Sequence, residues 1–191
     1  MGKSIKGTVT EQNLLRAFAG ECQAKNRYEF FAEKAKTEGY EQIAAIFEKT
    51  ALQEQSHAKQ FFKFMEGGDI EIKTISTSGI SDQTIDNLNI AISEENTEWS
   101  GLYPQFSEMA KAEGFPAIAA IFKLIAKIEA EHEKRFRKML KRLEEGTLFR
   151  REQTVRWECR KCGYVHEGEQ PPQICPACQH PIGYFEEMEE N

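Results

Sequence analysis

Two stretches of this chain repeat one another at an offset of 75 residues. Ile43-Ala44-Ala45-Ile46-Phe47 recurs as Ile118-Ala119-Ala120-Ile121-Phe122, Glu38-Gly39 as Glu113-Gly114, Glu54 as Glu129, His57 as His132 and Phe61 as Phe136. Two copies are too few for a solenoid, so they imply a fold whose halves are related by an internal pseudo-twofold axis. Apolar side chains recur at helical spacing in four stripes. The first is Leu14, Phe18, Tyr28, Ala32 and Ala35; the second Ile43, Phe47, Ala51, Phe61 and Met65, stopping at Gly67-Gly68. The third is Ile85, Leu88, Ile92, Trp99, Leu102 and Met109, stopping near Gly114. Pro116, at a first-turn position, opens the fourth: Ile118, Phe122, Ile125, Phe136, Leu140 and Leu143, closed by Gly146. Four helices of about 25–30 residues predict an antiparallel bundle.

Connection lengths select the topology. The turns at Glu38-Gly39-Tyr40 and Glu113-Gly114-Phe115 are tight, whereas Gly68 to Ser81 is long and rich in Gly, Ser, Thr and Ile. Extended at about 3.3 Å per residue, that segment reaches about 46 Å, enough to run the length of a helix of about 40 Å. One long crossover between two hairpins is the ferritin-like form of the four-helix bundle.

Polar residues that interrupt the stripes carry the chemistry. Glu21 falls on the inward face of the first helix, Glu54 and His57 on the second, Glu95 and Glu98 on the third, Glu129 and His132 on the fourth. Buried singly, each charge would be costly; together they can surround a cation pair. Two Glu-x-x-His pairs, each placing a carboxylate and an imidazole one turn apart, plus a Glu from each other helix, form the di-metal carboxylate pattern of such bundles. Oxygen-rich ligation with one imidazole per metal suits iron or manganese. Glu94, one position off the stripe, competes with Glu95, and Glu98 is a surplus inward carboxylate. Tyr28 and Tyr103 match at the repeat offset, yet Glu21 to Tyr28 is seven residues and Glu95 to Tyr103 eight. One extra residue predicts a π-bulge with an i→i+5 backbone bond on the third helix, with Pro104 beside it, and none on the first.

Composition changes after Gly146. Residues 1–146 are read as the bundle, 147–156 as a linker, and 157–191 as a small Pro-rich domain that a metal must stabilise, being too short to bury a sufficient core. Cys159-x-x-Cys162 and Cys175-x-x-Cys178 form two knuckles whose four thiolates make a tetrahedral site for zinc or iron. Cys22, off the ligand stripe, reads as a small packed residue. Of the 191 residues, 40% are apolar and 29% charged, which excludes a disordered chain, and no apolar run suffices to span a membrane. A net charge of −6 argues against nucleic-acid or anionic-membrane partners held by bulk electrostatics. No secretory signal follows Met1-Gly2-Lys3, and an odd cysteine count fits metal ligation better than disulfides, so a cytoplasmic address is expected.

With the bundle motifs, Tyr103-Pro104, the Cys-Gly-Tyr of the first knuckle and the Cys-Pro-Ala-Cys of the second, the whole chain resembles the rubrerythrin family. Gln179 stands where free-standing rubredoxins carry Gly, and the segment between knuckles is shorter than theirs. The resemblance implies a di-iron bundle fused to a rubredoxin-like iron domain, acting as a non-haem peroxidase that reduces hydrogen peroxide to water in oxidative stress defence. By family pattern Glu54 and Glu129 bridge two irons, Glu21 and Glu95 are terminal ligands, and His132 holds one iron. His57 and Glu98 are alternative ligands of the other, and Tyr28 and Tyr103 line the site. The iron at Cys159, Cys162, Cys175 and Cys178 receives electrons from a reductase or rubredoxin and passes them on, in a homodimer or larger homo-oligomer. A ferroxidase or iron-handling protein with a zinc-filled tail is the alternative reading.

Overall fold

Thr8 starts the first helix: its hydroxyl accepts from the Glu11 backbone N–H at 3.1 Å, satisfying one of the orphan donors of a helix N-terminus. Helix α1 then runs Val9–Thr37 and α2 Glu41–Phe62. The structure, a computed structural model, describes residues 3–74, 79 and 81–188. A third long helix follows in three consecutive pieces: α3 (Thr84–Thr97), a π-helical turn (Glu98–Leu102) and α4 (Tyr103–Ala112). Helix α5 spans Pro116–Glu144. These are the four expected helices of a ferritin-like bundle. The second is shorter than expected, ending at Phe62, so Met65 lies beyond it. Positions 63–83 join the hairpins, and within the expected crossover residues 75–78 and 80 lie outside the described residues.

The pseudo-twofold extends to the contacts of the repeated Glu-Gly pairs. Gly39 and Gly114 take φ of +81° and +83°, the left-handed backbone that ends α1 and α4. The glutamate before each glycine reaches the other hairpin. Glu113 accepts from the backbone of Thr10 at 2.8 Å and of Val9 at 3.2 Å, while Glu38 accepts from Thr84 at 3.1 Å. Each hairpin therefore sets a carboxylate at the N-terminus of the other hairpin's first helix, where the helix dipole favours negative charge.

Two apolar cores lie on either side of a central polar layer. Tyr28, Phe31 and Phe47 close on Phe136 in one; Tyr103, Phe106 and Phe122 close on Phe61 in the other. The rings correspond one to one at the repeat offset. Phe47–Phe136 and Phe61–Phe122 are both 5.0 Å apart, and Phe31–Phe47 and Phe106–Phe122 both 5.5 Å. Each aromatic box takes three rings from one hairpin and one from the other, so hydrophobic burial ties the halves together.

The third stripe departs from its expected phase. Leu102 and Met109 are exposed, and Tyr103, Ser107 and Ala110 are buried instead. The cause is the π turn: the Tyr103 N–H bonds the Glu98 carbonyl, five residues back. One added residue rotates the rest of the helix by about 100°, which moves the inward positions on by one. The expected bulge is present, and α1 is regular throughout.

Beyond α5, Leu148 is buried and Phe149 packs beside it in the first core, so this connection lies against the bundle. Strand β1 (Val155–Cys159) opens two residues before the expected boundary and pairs antiparallel with β2 (Val165–Gly168) and β3 (Phe185–Glu187), in the order β2-β1-β3. Trp157 is fully buried and donates to the Gly168 carbonyl at 2.9 Å. Glu187 accepts from Arg142 of α5 and from Arg151, each at 2.8 Å. Gly183 meets the α1–α2 turn so closely that a Cβ there would overlap the Gly39 carbonyl. Among the described residues no helix is long and apolar enough to cross a membrane.

Candidate metal centres

The polar layer between the two cores is built by four helices. Glu21 comes from α1, Glu54 and His57 from α2, Glu95 from α3, Glu129 and His132 from α5. All four carboxylates and His132 are no more than 1% exposed, and His57 is 6% exposed. Their ligand atoms fall into two sets, Glu21-Glu54-His57-Glu129 and Glu54-Glu95-Glu129-His132, with all atoms of a set within 4.8 Å of one another. Glu54 and Glu129 belong to both. Nδ1 of His57 lies 2.9 Å from Glu54 Oε2 and 2.9 Å from Glu129 Oε1. Nδ1 of His132 lies 2.9 Å from Glu54 Oε1 and 2.8 Å from Glu129 Oε2. Each shared carboxylate thus turns one oxygen to each imidazole.

Two tyrosines cross between the halves to hold the unshared carboxylates. The Tyr28 hydroxyl donates to Glu95 Oε1 at 2.7 Å, and the Tyr103 hydroxyl to Glu21 Oε1 at 2.6 Å. Both phenols are buried. The competitor Glu94 pairs with Arg27 and belongs to neither set, and Glu95 fills the inward place. Glu98 stands apart from both sets. It is half-buried at the start of the π turn, over Gly20 and beside Glu21, close enough for its charge to bear on that carboxyl.

Electrostatics show what this layer lacks. Four buried carboxylates face two imidazoles, so even with both rings protonated two carboxyls lack a counter-charge and are driven toward the protonated form. The strain is visible in Glu21, Glu95, Glu54 and the two imidazoles. Burial, with Glu129 and Glu54 nearby, pushes Glu21 well above the usual carboxylate range. Burial and the Glu54 charge raise Glu95 to about 8. Burial would raise Glu54 too, but the His132 and His57 rings beside it hold it down at about 2. Against burial, Glu129 and Glu54 lift His57 to about 9, and the same pair with Glu95 lifts His132 to about 12. Glu21 Oε2, Glu54 Oε1, Glu95 Oε2, both Glu129 oxygens and both His132 nitrogens are buried with no partner in hydrogen-bond geometry. Unmet acceptors converging on two shared positions, with an imidazole at each, fit a di-iron carboxylate centre.

The second centre is local. Cys159 and Cys175 are buried, Cys162 is exposed and Cys178 lies between. Cys159 Sγ lies 3.7 Å from Cys178 Sγ, and Cys162 Sγ 3.7 Å from Cys175 Sγ. A tetrahedron with metal–sulfur bonds of about 2.3 Å has an edge of about 3.8 Å, so the sulfurs fit a four-thiolate site. The backbone feeds it symmetrically. N–H groups of Lys161 and Cys162 bond Cys159 and those of Ala177 and Cys178 bond Cys175, while Tyr164 serves Cys162 and His180 serves Cys178. Gly163 at φ +75° turns the first knuckle; Gln179 turns the second at φ +60°, a conformation few side chains adopt. Its amide offsets part of that cost by bonding the Cys175 and Pro176 carbonyls. Cys22 is half-buried outside both centres.

Sequence reasoning passed over Glu133. It is 6% exposed, next to His132, and accepts from Trp99, Asn96 and Arg137. The available signal was a Glu where the first repeat has Ala58.

Comparison with known proteins agrees with both centres. The family model described as "Rubrerythrin" matches residues 12–83 and 86–161, and "Rubrerythrin, rubredoxin-like domain" matches 157–186. A rubrerythrin of Porphyromonas gingivalis is 54% identical over all of this chain and 96% of its own length. One from Nitratidesulfovibrio vulgaris is 50% identical over 96% of each chain. A solved structure of nigerythrin in a mixed-valence state is 30% identical, covers 98% of this chain and 91% of its own, and superposes with a TM-score of 0.63. Both the helical half and the cysteine half find their counterparts within single relatives of the same length, and on that footing the chain belongs to the rubrerythrin family.

Proposed function

We propose that this protein is a non-haem di-iron peroxidase that reduces hydrogen peroxide to two waters, taking up two electrons and two protons. The reading rests on the two donor sets that share Glu54 and Glu129 in a buried layer. Two ferrous ions held there would together supply the two electrons that O–O cleavage requires. Glu54 and Glu129, common to both sets, would be shared by the two ions, Glu21 and Glu95 would each hold one, and His57 and His132 would complete one set each. The Tyr28 and Tyr103 hydroxyls hold the terminal carboxylates in orientation from the opposite hairpin. Glu98, beside Glu21, is an alternative donor to His57 on the same side of the layer. A hard anionic oxygen there suits the ferric state and the neutral imidazole the ferrous one.

The four thiolates serve as a relay, since iron in such a site exchanges one electron with little change of geometry. Their electrons come from a reductase or a rubredoxin. Residues 1–146 act as the catalytic unit and 157–191 as the relay, working in the reducing cytoplasm as a homodimer or larger homo-oligomer.

The test is stopped-flow oxidation of the anaerobically reduced, iron-loaded protein by peroxide. Consumption of one peroxide per two electrons, with bleaching and recovery of the four-thiolate colour, is the expected result. Cys162→Ser should abolish turnover with a reductase while the chemically reduced bundle still consumes peroxide. A colourless zinc-bound tail, together with ferrous oxidation that consumes oxygen rather than peroxide, would support the iron-handling alternative instead.

A further inference from the structure

The shared donors and the aromatic boxes obey the repeat; the third long helix breaks it. Up to the π turn the offset between the halves is 74 residues (Glu21 to Glu95), and beyond it 75 (Tyr28 to Tyr103). Backbone hydrogen bonds alone do little to fix where along a helix such an extra residue resides, since a bulge can migrate by exchanging one bond for the next. Something outside the helix must set its place.

The surroundings of Glu133 answer that need. On α5, immediately after His132, this carboxylate faces the third helix and is 6% exposed. Its Oε2 accepts from the Trp99 indole and, at 3.1 Å, from the Asn96 amide; its Oε1 accepts from Arg137 Nε at 2.6 Å. Asn96 precedes the π turn and follows Glu95; Trp99 lies within the turn, directly after Glu98. The two donors therefore bracket Glu98. The regular helix α1 has none of these groups. At the corresponding offsets Asn96 and Trp99 become Cys22 and Lys25, and Glu133 becomes Ala58. The polar clamp and the bulge occur together, in one half only.

We propose that Glu133 is a positioning residue that pins the π turn at Glu98–Leu102 and thereby aims Glu98 at the donor layer. The clamp acts through two neutral donors held by one oxygen, so it depends on the acceptor and not on the ion pair with Arg137. Displacing the bulge toward the N-terminus, so that the extra residue precedes Glu98, would rotate Glu98 by about 100° and carry it off the layer. The role assigned to Glu98 belongs to the peroxidase reading; the pinning of the turn stands independently of it.

The experiment compares wild type, Glu133→Ala, Glu133→Gln and Arg137→Ala as iron-loaded full-length protein. Three quantities are read: iron per chain, amide hydrogen exchange over residues 98–103, and the rate at which peroxide oxidises the reduced protein. Glu133→Ala should keep its iron yet exchange at least about tenfold faster in that segment, with a comparable fall in the peroxide rate, as expected for losing both clamp bonds to a charged acceptor. The matching segment of α1 should be unchanged. Gln, which retains the accepting oxygen, should restore both quantities, and Arg137→Ala should behave as wild type. Wild-type exchange in an iron-loaded Glu133→Ala protein would overturn the proposal. So would Gln failing to rescue, or Arg137→Ala matching the Ala variant. If Glu133→Ala fails to load iron, Trp99→Phe keeps the ring and removes the indole donor; unchanged exchange there would be equally fatal. A wild type inert to peroxide would sink the functional reading while the exchange data still decide the clamp.

Discussion

The six donors of the bundle layer come from four helices and meet across most of the chain's length, whereas the four sulfurs of the tail lie within 19 residues of one another. The bundle owns two hydrophobic cores, one on each side of its donors. The tail owns a cluster of Trp157, Phe185 and two of the cysteines themselves, so its ligands are also its core. The difference teaches where the cost of each site is carried. In the bundle, apolar packing holds carboxylates in a layer they would leave if unfolded, and the fold should outlast its metals. In the tail the metal replaces the packing that so short a segment lacks.

The strongest way to break that contrast is Cys175→Ser. Removing one buried thiolate should forfeit metal-derived folding energy on the order of 10 kcal/mol and unfold residues 155–188, while the helical circular dichroism of the bundle persists. Limited proteolysis confined to the tail is the expected pattern; a protected tail without metal would overturn the contrast. In the bundle the equivalent loss is of metal alone. Glu129→Ala takes a donor from both sets and should empty both positions, whereas Glu21→Ala touches one set and should cost one metal. Metal analysis per chain at unchanged helicity reads the result, and equal losses in the two variants would deny the sharing.

The contact between the two regions comes next in size. Gly183→Ala would drive a methyl group into the Gly39 carbonyl, a backbone overlap worth about 1–3 kcal/mol. Tail and bundle should each keep their metals, but the seam at Glu187, Arg142 and Arg151 should loosen, seen as faster exchange across residues 147–154. The smallest effect is a gain. Gln179→Gly removes left-handed strain at the second knuckle and should stabilise the tail by about 1 kcal/mol, less the two amide bonds it forgoes, measured as slower release of its metal.

Legibility followed the same divide. The knuckles could be read from spacing alone, because every ligand and every supporting N–H is local. The bundle donors could be read because the repeat and the stripes told which face each glutamate occupies, and the seven-versus-eight count exposed the bulge. Beyond the bulge the stripe went astray: Leu102 and Met109 fit a 3.6-residue period, but the π turn hands their places to Tyr103 and Ala110. Glu133, Glu38 and Glu113 went unread as partners, since each serves a residue far away in sequence and no periodicity marks a hydrogen bond.

The sequence by itself determined the halves, the donor types, the cysteine site and the presence of one surplus residue, because these depend on spacing along a chain whose helical pitch is known. Only the tertiary structure decided which oxygen faces which imidazole, that each tyrosine holds the other half's carboxylate, and that Glu98 stands outside both donor sets. Those outcomes depend on how four helices settle against one another, where a rotation of one residue exchanges a buried tyrosine for an exposed leucine.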